Sequence, residues 1–385
     1  MKRTYLICVF LMSTFYSAIA QENYLLKTYV KGLTSFQFSK NSKTLNENTI
    51  HNRFDFDWYA SSKLTITAGL RNRLIFGDIF SEVPNYSSTL GEDIGYFNLT
   101  TKWLDKNNSV GISQLDRFFA DYTIGKLEIT LGRQRINWGQ AFVWNPNDLF
   151  NTYSFFDFDY EEKPGSDAVR LQYYIGEASK IEWASVINNN KKITSALLYK
   201  VNTHNYDLQF LTGIYSQTDW VFGTGWSGSI KGGGFNGELT YFHSILASTS
   251  KKNYLTAVIH YDYTFKSSLN LQFETLYNGF GTSTSGGLSN FEMGNLNPKN
   301  LFPTKTAFFC SGSYNVSPLF NLLLAGMYSA NGNFLYLGPT FTYSLSDNKQ
   351  LSLIGQYFST DENTPQNSII TSNGGALFMR LKWAF

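Results

Sequence analysis

The chain has 385 residues, a formal net charge of +2, 17% aromatic and 16% charged residues, and two cysteines. So nearly neutral a balance argues against nucleic acid as a partner, and the charged fraction is well below the roughly 25% of soluble domains. Cys8 falls in a leader, so Cys310 alone remains; that excludes an internal disulfide framework, and with no Cys/His cluster at zinc-ligand spacing neither a metal nor a cofactor is expected.

Residues 1–20 read as a signal peptide. Lys2 and Arg3 form a basic start, 5–15 an apolar run, and Ala18-Ile19-Ala20 a small-x-small cleavage site, so the mature chain begins at Gln21. A membrane anchor would need a longer apolar run and a stop-transfer pattern, and a lipoprotein would need its cysteine later than Cys8. Beyond residue 20 there is no run of about 18 apolar residues, so helices do not cross the membrane. An exported, aromatic-rich, charge-poor chain of this kind matches an outer-membrane β-barrel, whose partner is lipid.

The mature chain then reads as strands of alternating character. Over 52–60, Phe54, Phe56 and Trp58 alternate with Arg53, Asp55 and Asp57. Over 63–76, Leu64, Ile66, Ala68, Leu70 and Leu74 oppose Thr65, Thr67, Gly69, Arg71 and Arg73, with Asn72 the exception on the apolar side. Over 168–175, Val169, Leu171, Tyr173 and Ile175 oppose Arg170, Gln172 and Tyr174. Period-two patterning is the strand signal, and a charged row behind an apolar row suits a wall between lipid and water. Further strands are expected at 26–38, 116–124, 127–136, 179–188, 193–201, 204–215, 217–229, 233–242, 253–264, 269–278, 305–315, 319–329, 333–343, 349–359 and 376–385. The expectation is one all-β domain over 21–385, a transmembrane antiparallel β-barrel of 16–18 strands, with 96–104 taken as loop. Long external loops fall at 77–115, 137–165, 279–304 and 360–375, and tight turns such as 124–126 belong to the periplasmic side. A plugged, TonB-dependent transporter would need a longer chain.

The most specific short signal is the C-terminus, where Leu377, Met379, Leu381, Trp383 and Phe385 alternate with Phe378, Arg380 and Lys382. This resembles the closing strand of Gram-negative outer-membrane barrels. The resemblance implies that Trp383 and Phe385 are read by the barrel-assembly machinery. A second resemblance covers 116–170. Gly132-Arg133-Gln134, Trp138-Gly139 and Asn145-Pro146 follow one another in a strand-to-loop pattern similar to that of porin-like barrels, including alginate-export and related solute porins. By that resemblance 137–165 is a constriction loop folded into the lumen; the competing reading is an external loop packed on the rim. Within the segment, Leu127, Ile129 and Leu131 share parity with Arg133 and Arg135. An arginine facing lipid costs about 2–4 kcal/mol at the midplane and much less near an interface, so either the arginines lie at headgroup level or, the favoured expectation, a bulge at Gly132 switches the faces.

All eight arginines of the mature chain, Arg53, Arg71, Arg73, Arg117, Arg133, Arg135, Arg170 and Arg380, lie in expected strands. Alternation also turns Asp55, Asp57, Asp121, Glu182 and Glu274 inward. Opposed rows of arginine and carboxylate across a wet lumen orient polar solutes and set ion preference; equally, such charges pair wall to wall and stiffen the barrel. No catalytic set emerges. His260 and Asp262 share a strand face, but a base also needs a nucleophile in reach, and a lumen pair is the plainer reading. The sequence therefore points to a channel for passive diffusion of small hydrophilic solutes, leaning to anions. The alternative is a non-conducting barrel that anchors or assembles surface polysaccharide or serves a secretion apparatus.

Overall fold

The computed structural model describes residues 23–40, 42–245, 253–281, 296–331, 333–363 and 369–385. The expected leader, residues 1–20, lies outside the described residues. From the N-terminus, β1 (Tyr24–Ser39), β2 (Leu45–Ser61) and β3 (Leu64–Gly77) form a meander. Two short helices follow, α1 (Ile79–Glu82) and α2 (Tyr86–Leu90), then β4 (Thr100–Lys106), β5 (Ser109–Ile124) and β6 (Leu127–Gln134). The run β7 (Ser166–Tyr174), β8 (Lys180–Ile187), β9 (Ile193–Thr203), β10 (Tyr206–Tyr215) continues the wall. It passes through β11 (Asp219–Ile230), β12 (Gly233–Ser244), β13 (Tyr254–Thr264) and β14 (Asn270–Asn278). The circuit ends with β15 (Thr306–Ser317), β16 (Phe320–Ser329), β17 (Phe334–Ser346), β18 (Lys349–Asn363) and β19 (Ile369–Ala384).

Every neighbour pair is antiparallel, and β19 pairs with β1 from Tyr29 opposite Ala384 to Ser39 opposite Gly374. That pairing leaves no open edge, as a hydrocarbon setting requires. At its end the Phe385 N–H donates to the Thr28 carbonyl at 2.9 Å, and Thr28 N–H donates back to Phe385. The closed wall has 18 strands. The remaining strand, β4, pairs with β5 alone and fills the place beside its upper half that β6 leaves when its own pairing begins at Phe118. The segment taken as loop thus contains a short strand, because β5 starts at Ser109, seven residues before the expected 116, and offers a free edge. The expected loop 360–375 is likewise mostly ladder, since β18 and β19 pair from Thr360 opposite Ser372 up to Asn363 opposite Ile369.

Alternation sets the faces. On β13, Leu255 and Ile259 are exposed outward while Thr256, Val258 and His260 are buried. Exposed aromatics sit near both ends of the strands: Trp58, Tyr122, Tyr173, Tyr343 and Trp383 toward the short turns, and Trp220, Tyr241, Tyr277 and Tyr328 toward the long loops. These are the two girdles of a transmembrane barrel. Among the described residues no helix is long and apolar enough to cross a membrane.

The bulge lies elsewhere than expected. Register runs unbroken across Gly132, from Phe119 opposite Gly132 to Phe118 opposite Arg133. Gly132 is needed for a different reason: its φ is +119°, and a Cβ there would stand 2.2 Å from the Phe118 carbonyl oxygen. The shift falls in β5, where Gly69 faces Arg117 but Leu70 faces Leu115. Asp116 is the extra residue, and it turns inward along with Arg117. Arg133 keeps the parity of Leu131 yet avoids lipid by another route. Residues 93–97 lie against it, and it pairs with Asp93 at 2.9 Å and with Asp167 at 2.8 Å. β6 ends at Gln134, so Arg135 has already left the wall.

Candidate functional site

Residues 135–165 leave the wall between β6 and β7, and inward-facing side chains of most other strands hold them. The attachment begins at Trp138, whose indole N–H donates to Glu182 at 2.6 Å. Glu182 is fully buried and also takes Arg170 at 2.6 Å and Lys180 at 2.7 Å. Gln209 on β10 donates its amide to the Trp138 carbonyl at 2.8 Å.

Two wall carboxylates then grip the backbone. Glu238 on β12 accepts the N–H groups of Gln140, Ala141 (2.9 Å) and Asn147 (2.8 Å). Glu274 on β14 accepts those of Phe142 (2.8 Å), Val143 (3.1 Å) and Trp144 (2.7 Å). Successive N–H groups turned to one anion form a concave nest, here closed around a side chain of the same molecule. Both carboxylates are buried, so these bonds form away from competing water. His260 supports Glu274 from behind, with Nδ1 at 3.1 Å, while its Nε2 stands 3.4 Å from Asp262. The His260–Asp262 pair is thus part of the wall that holds the loop.

The middle of the loop meets an aromatic wall. Phe155 packs edge-on to Phe309 on β15 (5.2 Å between centroids), Phe156 on Tyr336 (5.0 Å) and Phe358 (5.3 Å), and Phe158 on Phe378 (4.8 Å). Past them an acidic run reaches the basic wall of β19, β1, β2 and β3. Asp159 pairs with Lys31 at 2.8 Å, Glu161 with Lys382 at 2.6 Å and Arg380 at 3.5 Å, and Glu162 with Arg53 at 3.7 Å. Burial alone would raise the Glu161 carboxyl, but Lys382, Lys31 and Arg380 hold it below the usual range. Tyr160 donates to Asp116, and the Arg71 guanidinium stacks 3.9 Å over its ring. Arg117 donates to the carbonyls of Glu162 and Lys163, both at 2.7 Å. The loop is therefore polarised to match its surroundings: main-chain donors against the acidic side, carboxylates against the basic side.

Of the residues expected to line a pore, Arg53, Arg71, Arg117, Arg170, Glu182, Glu274 and Arg380 gather around this loop. Arg73 stands on the same wall and donates to the Leu90 carbonyl at 3.1 Å. Asp55 is bound to Arg53 at 2.8 Å. Asp57 accepts from Thr67 at 2.6 Å and Asp121 from Thr130, both toward the short-turn end. Arg133 is shut away with Asp93 and Asp167. Arg135 faces the loop itself, 3.7 Å from Asp148, with Tyr153 beneath it at 5.2 Å. Sequence reasoning missed Glu238, Lys31 and Asp116. The alternation of Asn236, Glu238 and Thr240 against Leu239 and Tyr241 could have found the first, but no pattern shows a bulge residue such as Asp116.

A narrow crevice with room for little more than one water lies against the loop, lined by Val143, Asn145, Asp148, Thr152, Tyr153 and Leu301. Burial pushes the Asp148 carboxyl up to about 7, only partly opposed by Arg135. A carboxyl raised in the folded state costs nothing below its unfolded pKa near 4 and progressively more as pH climbs to 7. Loop attachment should therefore weaken between about pH 4 and 7, and Asp148→Asn should flatten that dependence. Protease nicking within 135–165, followed against pH in both proteins, checks this; identical profiles would rule Asp148 out.

No family model matches the chain, and no curated protein matches it. Solved structures do. OccK9 (OpdG) of Pseudomonas aeruginosa is 10% identical, with 94% of this chain and 99% of that chain covered and a TM-score of 0.59. OccAB1 of Acinetobacter baumannii is 9% identical, covering 94% and 97%, at 0.57. The outer membrane protein opdK of Pseudomonas aeruginosa is 10% identical, covering 94% and 99%, at 0.55. At such identities the likeness is one of fold; it supports a porin-like barrel and does not extend to the alginate-export type.

Proposed function

We propose that the protein is an outer-membrane channel through which small hydrophilic solutes diffuse passively, with residues 135–165 as its constriction. The observation that carries this is the opposition of charge inside a closed barrel. Arg53, Arg71, Arg73, Arg380, Lys31 and Lys382 stand on one side, and Glu238 and Glu274 on the other, with Glu182 beside them already paired to Arg170 and Lys180. A polar solute crossing such a lumen is oriented by the field between the walls. The structural neighbours are outer-membrane porin channels, which supports the same reading; in it the short turns lie on the periplasmic side. The arginine surplus favours anions. Outward Trp383 and Phe385, at the seam of the barrel, suit recognition by the barrel-assembly machinery; the alginate-export likeness rests on 116–170 alone.

Purified protein in planar bilayers should give stable conductance steps. Arg71→Ser with Arg73→Ser should shift the reversal potential in a salt gradient toward cations while the barrel keeps its heat-modifiable mobility. An unshifted potential would remove both arginines from the selectivity wall. A second reading is favoured by how many strands the loop touches: a plugged barrel that anchors surface polysaccharide or serves a secretion apparatus. Absence of any conductance in the intact barrel would decide for it.

A further inference from the structure

The lipid-facing side of β2, β3 and β5 carries a row of polar side chains where its neighbours are apolar. Asn52 stands between exposed Ile50 and Phe54, and Asn72 between Leu70 and Leu74. The two face each other across the ladder, and Asn72 faces Ser113 on the next strand. Ser113 Oγ donates to Asn72 Oδ1 at 2.6 Å, Asn72 Nδ2 to Asn52 Oδ1 at 3.4 Å, and Asn52 Nδ2 to the Tyr29 carbonyl at 3.1 Å. Each amide has two N–H groups and uses one in this chain of bonds. Asn72 lies eight residues above Leu64, or about 20 Å up a tilted strand, with Leu74 and Phe76 still above it. Acyl chains at that depth offer no hydrogen-bond partner. Among the described residues, no other two neighbouring strands set outward amides side by side.

We infer that this face is where two copies of the chain meet in the membrane. An asparagine amide is donor and acceptor at once and carries no net charge, so the row is complementary to itself, as a two-fold contact demands. Beside the exposed Ile50 and Phe54 the face also carries small residues. Gly32, opposite Ile50 on β1, has open space where a Cβ would be, and Ala68 sits two residues below Leu70. Close approach over small residues with polar groups bonding across is how protein surfaces associate in lipid. A lipid headgroup, the other hydrogen-bonding candidate, meets Asn48 and Thr34 first and would have to descend past Ile50 and Leu74 to reach the row. The inference rests on the outer face lying in a bilayer and not on solute passage.

The mass of the purified full chain in lipid nanodiscs, loaded at rising protein-to-lipid ratio, tests it. Wild type is expected to associate, and Asn72→Cys in a Cys310→Ser background to cross-link copy to copy on oxidation. Asn52→Leu with Asn72→Leu should weaken association at least tenfold while preserving heat-modifiable mobility and any conductance. Monomeric wild type at every loading, or a double leucine variant that associates as well as wild type, overturns the proposal. Cross-linking to a different protein in native membranes, with the purified chain monomeric, overturns it too.

Discussion

Glu274→Ala is expected to release residues 142–144 from the wall and to raise unitary conductance, leaving the barrel closed and folded. Three consecutive N–H groups depend on this one carboxylate, and the alanine offers them nothing. Hydrogen bonds to a charged acceptor contribute about 1.5–3 kcal/mol each. They share two oxygens and the other anchors remain, so a net loss of about 3–5 kcal/mol at this attachment is reasonable. That corresponds to a change of a hundredfold or more in the balance between held and released states. The ladders of β13, β14 and β15 are backbone bonds and do not involve the carboxylate, so folding of the wall is not at stake. Glu274→Gln keeps one acceptor oxygen but turns an NH2 toward donors, and should fall between wild type and alanine. Single-channel recording and protease nicking within 135–165 read the same event independently. If both traces matched wild type, the nest around Glu274 would not be what positions the loop.

The reason this grip was illegible in the sequence is distance. Glu274 meets residues more than 120 positions away, and alternation reports only which face of a strand a residue occupies. It placed Glu274 inward correctly and could say nothing of its partner. The wall, by contrast, was readable almost throughout, because each strand carries its own record of lipid on one side and a polar interior on the other. The closing strand of 376–385 and the strand count follow from the same rule. Where local pattern and fold diverge, a neighbouring segment intervened. Arg133 shares the lipid-facing parity of Leu131, and only the return of 93–97 explains why it need not be displaced by a bulge. The expected loop 360–375 reads as polar because β18 and β19 rise above the membrane, where outward apolar residues are no longer required.

Asp116 makes the other large prediction. It is the bulge residue of β5, nearly fully buried, and it holds Arg53 at 2.7 Å while accepting from Tyr160. Arg53 is itself 1% exposed, so Asp116→Ala leaves a guanidinium in the wall with Asp55 and, at 3.7 Å, Glu162 as its remaining carboxylates. Removing one partner of a buried pair costs about 3–5 kcal/mol. Tyr160 loses its acceptor as well, which frees the end of the loop on which Arg71 stacks. The alanine protein should thus unfold at lower denaturant and nick more readily near 160. Replacing both partners, Arg53→Met with Asp116→Leu, removes the stranded charge and should recover most of the stability while leaving the loop end loose, because Tyr160 still has no acceptor. Unfolding in lipid vesicles for Arg53→Met, Asp116→Leu and the double completes the cycle. Purely additive losses would mean that the ion pair contributes nothing, and that the inward turn of this bulge serves only the geometry of the strand.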